Sequence, residues 1–166
     1  MIGLKEVRLV ELSVEYQREL FEFRQELLDS GCRDCCGSLR RMDVEEWLDW
    51  AQAQKLSPSE TSHYAAFYEG KMVGMVQLHR RLTRWTGHLG NIGYSVRPSE
   101  RRKGYASAML AQIAAICREQ GMDRILICCR EENEASRRVI LKNGGQYDET
   151  ITTPEAERLE QYWIQL

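Results

Sequence analysis

Apolar and polar positions alternate through residues 5 to 13, KEVRLVELS, and period two predicts a strand. From residue 14 the spacing lengthens. In VEYQRELFEFRQELL it sets Tyr16, Leu20, Phe23 and Leu27 on one helical face. GCRDCCGSLRRM is then read as a loop. DVEEWLDWAQA is read as a helix whose N-cap is Asp43, with Glu46 three residues on and Val44, Trp47, Leu48 and Ala51 as its apolar stripe. Ser57, Pro58 and Ser59 end it.

HYAAFYEGKMVGMVQLHRRL predicts two strands around a tight turn at Glu69, Gly70 and Lys71. Residues Trp85 to Gly90 read as a loop over a site, and NIGYSV as a strand stopped by Pro98. Residues 104 to 120 carry Ala106, Met109, Ile113 and Ile116 at helical spacing, with Gly121 as the stop. RILICC is an unbroken apolar run, the pattern of a strand covered on both faces. Strand, helix, strand in that order makes a βαβ unit with a right-handed crossover and two parallel strands, so the helix opens at the carboxyl end of the first strand. A second helix, NEASRRVILKNG, leads to GGQYDETIT and LEQYWIQL, an antiparallel pair. There is no internal repeat and no low-complexity linker.

Length and charge then narrow the function. A chain of 166 residues with 43% hydrophobic content buries a core as one domain spanning residues 1–166. A net charge of −2 gives no overall reason to expect a nucleic-acid or anionic-membrane partner. No secretory h-region and no run of about 18 apolar residues is present, which predicts a cytoplasmic protein. Cys117, Cys128 and Cys129 lie in apolar runs, whereas Cys32, Cys35 and Cys36 have the spacing of half a zinc site whose second half is missing. All six cysteines are therefore expected to be reduced, with no metal bound.

Against that near-neutral background, GYSVRPSERRKGYASAML places Arg101, Arg102 and Lys103 directly before Gly104 and a helix start. The first N–H groups of a helix lack intrahelical partners and the macrodipole is positive there, so an anion finds donors and favourable potential together. Gly104 has no Cβ to keep the backbone away, and small Ala106 and Ser107 keep the first turn open. Arg137, Arg138 and Lys142 add charge from the following helix. The plain alternative is a solvated turn before an ordinary helix. Neither a Walker loop nor G-x-G-x-x-G is present.

RRKGYA, residues 101 to 106, resembles the R/Q-x-x-G-x-G/A signature of the GNAT superfamily of acyl-CoA-dependent N-acetyltransferases. The strand IGYSV before it, the helix after it, RILICC, and the Asn-x-x-Ser segment NEASRRVILKNGG stand in the same order, so the resemblance covers residues 72 to 166. The first 60 residues are similar only in being strand, helix, helix. The resemblance implies an α/β fold: a mixed sheet with helices on both faces and two parallel strands that splay to admit the pantetheine arm of acetyl-CoA, the cosubstrate. Arg101, Arg102, Lys103, Gly104, Tyr105 and Ala106, with Ser107, would then hold its pyrophosphate, Arg137 lying nearby. Tyr94, Ser95 and Val96 would line the arm, Tyr94 and Val96 through main-chain groups. Asn133 and Ser136 would face its other side.

The implied reaction is transfer of acetyl to a primary amine of a small molecule, peptide or protein in a ternary complex, with Tyr94 N–H stabilising the oxyanion. The alternative is a regulatory module that binds acyl-CoA without turnover, and a thiol-based metal protein built on CRDCC is a third reading. His88 and Glu60 are candidate bases for the ammonium proton. Many members carry a proton-donating tyrosine where this chain has Ile140, so water, Ser136, Tyr94 or Tyr147 would have to protonate the leaving thiolate. Acceptor contacts are expected from residues 28 to 62 and 80 to 90, where Arg80, Arg81 and Arg84 form either an acid-binding or a merely solvated face. Expected partners are acetyl-CoA and an amine, with no nucleic acid and no membrane, for a monomer or homodimer.

Overall fold

The computed structural model describes residues 7–32, 36–84 and 86–166. Lys5 and Glu6 of the predicted first strand, Cys35, and Trp85 of the predicted loop lie outside the described residues. The elements run β1 (Arg8–Glu11), α1 (Gln17–Asp29), α2 (Gly37–Arg41), α3 (Val44–Gln54), β2 (Thr61–Tyr68), β3 (Lys71–His79), β4 (Ile92–Val96), α4 (Tyr105–Glu119), β5 (Arg124–Arg130), α5 (Glu134–Lys142), β6 (Gln146–Thr152) and β7 (Arg158–Gln165). Short 3-10 turns at Val14–Tyr16 and Pro98–Glu100 lead into α1 and towards α4.

The helices form where apolar spacing and capping agree. The Asp43 carboxylate accepts from Glu46 N–H at 2.9 Å, and α3 buries Val44, Trp47, Leu48 and Ala51. Helix α1 buries Leu20, Phe23 and Leu27, while Tyr16 packs on Phe67 at 5.5 Å between ring centroids. The β2–β3 turn uses two residues, Glu69 and Gly70, with φ of 48° and 79°, as a two-residue hairpin of matching twist requires. Lys71, expected in the turn, already belongs to β3. The loop reading of residues 31 to 42 is corrected by α2. Its single buried residue, Leu39, fastens five residues to the core, too short a stretch to show a period.

Seven strands form one sheet in the order β1-β2-β3-β4-β5-β7-β6, with only β4 and β5 parallel. Helices α1 and α3 pack on β3 and β2 from one side, around Phe23, Trp47, Ala65 and Met75. Helices α4 and α5 cover the other side, around Ile92, Met109, Ile113 and Ile127. Strand β5 is covered on both faces: Ile125, Leu126 and Ile127 are all buried.

Candidate active site

The site begins as a break in the sheet. Five residue pairs join β3 to β4 and seven join β5 to β7, but β4 meets β5 at Ile92–Ile127 alone, supported by Asn91 on the Leu126 backbone. Beyond that bridge the parallel strands separate. In an antiparallel ladder, main-chain groups point to the partner strand at every second residue. Arg97 N–H reaches Val73 O and His79 N–H reaches Asn91 O, both at 2.7 Å, so the positions between them in phase, Gly93 and Ser95, face β3. Tyr94 and Val96 consequently turn their N–H and C=O groups towards β5, into the opening. Ser95 turns its main chain away from it, and its side chain bonds Cys36 on the α1–α3 face.

At the mouth of this opening stands the start of α4. Gly104 has φ of 88°, and a Cβ added there would meet nothing within 4 Å. No side chain caps this helix. Tyr105 is buried against Tyr68, and the Ser107 hydroxyl accepts from Asn143 Nδ2 at 3.1 Å, so neither side chain turns outward. The cations divide. Lys103 and Lys71 hold the Glu100 carboxylate at 2.8 and 2.6 Å and keep it below the usual carboxylate range. Arg101 donates to Val96 O at 3.3 Å. Arg102, exposed and left-handed at φ of 64°, forms no hydrogen bond or ion pair among the described residues.

Helix α5 begins differently. Asn133 Oδ1 accepts from Ser136 N–H at 3.1 Å and caps the helix. The Ser136 hydroxyl lies 2.7 Å from the Tyr94 hydroxyl, joining β4 to α5 across the far side of the opening. Burial raises the Tyr94 phenol above its ordinary range, against the lowering effect of Ser136. Arg137 is held by Glu160 at 2.6 Å and Arg138 by Glu134 at 2.6 Å.

The remaining candidates are dispersed. Ile140 is fully buried. Tyr147, on β6, is 57% exposed, with its hydroxyl 2.8 Å from Thr150 Oγ1. Glu60 pairs with Arg81 at 3.0 Å, and His88 is half-buried in the loop after Thr83. The Arg80 guanidinium donates to Ser62 at 2.7 Å, to Gln120 at 2.8 Å and to the Glu60 carbonyl at 3.1 Å. Two histidines that sequence reasoning passed over, His63 and His79, lie buried on the α1–α3 face. Strict alternation along β2 and β3 was the one signal that could have placed them together.

Cys36, Cys117, Cys128 and Cys129 are free thiols, and burial pushes each up to about 11. Cys32 is disulfide-bonded, its partner lying outside the described residues, which corrects the expectation of six reduced thiols. That expectation rested on compartment, whereas a bond between cysteines depends on local geometry. Among the described residues no three His, Cys, Asp or Glu side chains gather around a metal position, and no helix is long and apolar enough to cross a membrane.

A split parallel pair beside an uncapped helix start defines an acyl-CoA-dependent transferase fold. The family model described as Acetyltransferase (GNAT) family matches residues 18–144, and the chain belongs to that family. No curated protein matches. Among solved structures, the ribosomal L7/L12 α-N-protein acetyltransferase RimL in complex with coenzyme A is 16% identical, over 97% of this chain and 94% of that one, with a TM-score of 0.79. The microcin C7 self-immunity acetyltransferase MccE, in complex with acetyl-CoA and AMP, is 14% identical over 97% and 93%, with a TM-score of 0.78. A chimera of the spermidine N-acetyltransferase SpeG from Vibrio cholerae and hSSAT is 11% identical over 96% and 95%, with a TM-score of 0.72.

Proposed function

We propose that this protein, acting as a single cytoplasmic domain, moves an acetyl group from acetyl-CoA to a primary amine by direct attack in a ternary complex. The observation that carries the reading is the register of β4, which aims the main-chain groups of Tyr94 and Val96 into a gap that ends beside the start of α4, a helix no side chain caps. Acetyl-CoA supplies the activated acyl group when bound. Along the gap, Tyr94 and Val96 pair with its amides, and Tyr94 N–H donates to the oxygen on which negative charge develops. Gly104, Tyr105, Ala106 and Ser107 offer backbone N–H groups to the pyrophosphate, with Arg102 as the unpaired cation beside them. The hydroxyl pair Tyr94–Ser136 gives the departing sulfur its proton in place of the absent tyrosine at 140, and the pair is refilled by the second proton the amine loses, relayed through water.

The relatives' names span a ribosomal protein N-terminus and spermidine, so the acceptor is framed as an amine rather than as one compound. The test is calorimetry with acetyl-CoA, followed by coenzyme A release in the presence of a peptide with N-terminal serine, spermidine and a wider amine panel. One-to-one binding with release on at least one amine is expected. Binding with no turnover on any amine would assign the chain to the regulatory reading instead.

A further inference from the structure

We propose that His79 is the base that takes the proton from the attacking amine, and that a one-way chain of hydroxyls fixes the tautomer it needs. The proposal rests on the acetyltransferase reading and adds a residue to it. His79 Nδ1 lies 2.7 Å from Thr61 Oγ1, Thr61 Oγ1 lies 2.9 Å from Ser59 Oγ, and Ser59 Oγ lies 3.2 Å from Ser57 Oγ. Ser57 Oγ lies 2.7 Å from the backbone carbonyl of Gln54. A carbonyl only accepts, so Ser57 donates to it and has a lone pair left for Ser59. Ser59 then donates to Ser57, Thr61 donates to Ser59, and Thr61 must accept from His79. The direction of the whole chain follows from its last member. Nδ1 carries the hydrogen and Nε2 carries the lone pair.

The position is right for an acceptor amine. His63, Gln77 and Gly93 form one row across β2, β3 and β4, and Thr61 and His79 form the next, all on the α1–α3 face, opposite Tyr94 and Ser136. Gly93 and His79 are therefore diagonal neighbours, with Cα atoms about 7 to 8 Å apart by sheet geometry. An imidazole and one amine or water span that distance. Gly93 immediately precedes Tyr94, whose N–H faces the split, and a Cβ there would meet only the Gln77 side chain within 4 Å. The absent side chain leaves room over the sheet beside the gap.

The surroundings keep the imidazole neutral. His79 is 8% exposed, and burial lowers its basicity. His63 on β2, edge-on to Trp47 of α3 at 4.9 Å and near Trp50, is pushed down to about 4 by burial and then by His79. Neutral His63 sets no fixed cation against protonation of His79. On the other sides stand Asn91, whose Nδ2 holds the His79 carbonyl at 2.9 Å, and Glu60, whose carboxylate is engaged by Arg81. In the reaction the ammonium loses two protons. One goes to Nε2 of His79 and from there to solvent. The other ends on sulfur, through Tyr94 and Ser136, as the C–N bond forms and the C–S bond breaks.

The test has two parts. In protein labelled with 15N-histidine, the His79 nitrogens should report a protonated Nδ1 and a bare Nε2 at pH 7.5, and a protonated Nε2 would overturn the proposal whatever the activity. On whichever of spermidine or the N-terminal-serine peptide turns over, His79→Gln should lower kcat/KM about a hundredfold with acetyl-CoA binding unchanged. It should also abolish a limb of the wild-type pH profile that rises through a pKa below the ordinary histidine value, while the limb belonging to the substrate amine stays. Thr61→Val, which cuts the chain, should cost about tenfold, and Thr61→Ser should restore the rate. Turnover in His79→Gln within threefold of wild type would remove His79 as the base and leave the acetyltransferase reading standing. Acetyl-CoA binding with no turnover on any amine would remove both.

Discussion

The two helices that flank the split begin in opposite ways. Helix α5 satisfies its own first turn, because Asn133 folds its side-chain oxygen back onto Ser136 N–H. Helix α4 does not. Its N-cap is a left-handed glycine with no side chain to turn inward, and a Cβ placed there would meet nothing within 4 Å. Glycine at an N-cap costs only about a few tenths of a kcal/mol relative to a capping side chain, so α4 leaves its first turn uncapped at little loss of stability. Both termini stand near arginines, yet those of α5 are spoken for by Glu160 and Glu134, whereas Arg102 is not. One terminus positions a hydroxyl; the other carries no capping side chain and is the one proposed above to take the pyrophosphate. A basic run before a helix is thus informative only when the cap is missing.

The largest effect should come from closing the open terminus. Gly104→Glu puts a carboxylate where the proposed function places the pyrophosphate and should weaken acetyl-CoA by several kcal/mol in calorimetry. Gly104→Ala adds only the strain of a side chain at φ of 88°, about 1 to 2 kcal/mol of stability, and should bind acetyl-CoA far better than the glutamate variant. Equal affinity in glutamate variant and wild type would remove the pyrophosphate from α4.

The next effect tests the other terminus. Tyr94→Phe and Ser136→Ala each break the 2.7 Å hydroxyl pair and should lower kcat about a hundredfold with acetyl-CoA affinity nearly intact. A few-fold loss in both would mean that water protonates the thiolate. The buried phenol is held above its ordinary range, so it stays protonated throughout the neutral region and no loss of rate from its ionisation is expected there.

Third in size is the contrast between cations. Arg102→Gln should weaken acetyl-CoA about tenfold and reduce the salt dependence of binding. Arg138→Gln, which removes a cation already paired on α5, should change affinity less than twofold. Equal losses in the two variants would indicate a diffuse positive field rather than a site at α4.

Most of the frame was legible in the sequence for identifiable reasons. Asp43 and Glu46 announced α3, and the apolar run RILICC announced a strand covered on both faces. Arg101 to Ala106 marked the start of α4. What escaped depends on register or on tertiary packing. Helix α2 is held by one leucine and has no period to detect. That Tyr94, but not Ser95, offers its main chain to the gap follows from which residues of β4 bond β3, and pairing across strands is not written within either one. His63 and His79 lie 16 positions apart in sequence, and only the hairpin register sets them in adjacent rows. The pairing of Lys103 with Glu100 was available as a three-residue spacing and was read only as added charge.

The smallest expected effect separates capping from binding at α5. Asn133 was assigned to the pantetheine arm by resemblance, but its oxygen is engaged with Ser136 N–H, and the residue is exposed. If capping is its main work, Asn133→Ala should cost about 1 kcal/mol, which for a domain of this size lowers Tm by about 2 to 4 °C. Acetyl-CoA affinity should change less than threefold. Asn133→Asp keeps an accepting oxygen, places a negative charge at the positive end of the helix and should hold wild-type stability. The same substitution puts a carboxylate near the gap, so a site that used Asn133 to donate to the arm would lose affinity in both variants. Loss of stability in alanine alone, with affinity kept in both, identifies the cap. Loss of affinity in both, with stability kept, would instead make the two helix starts alike in function and undo the contrast between them.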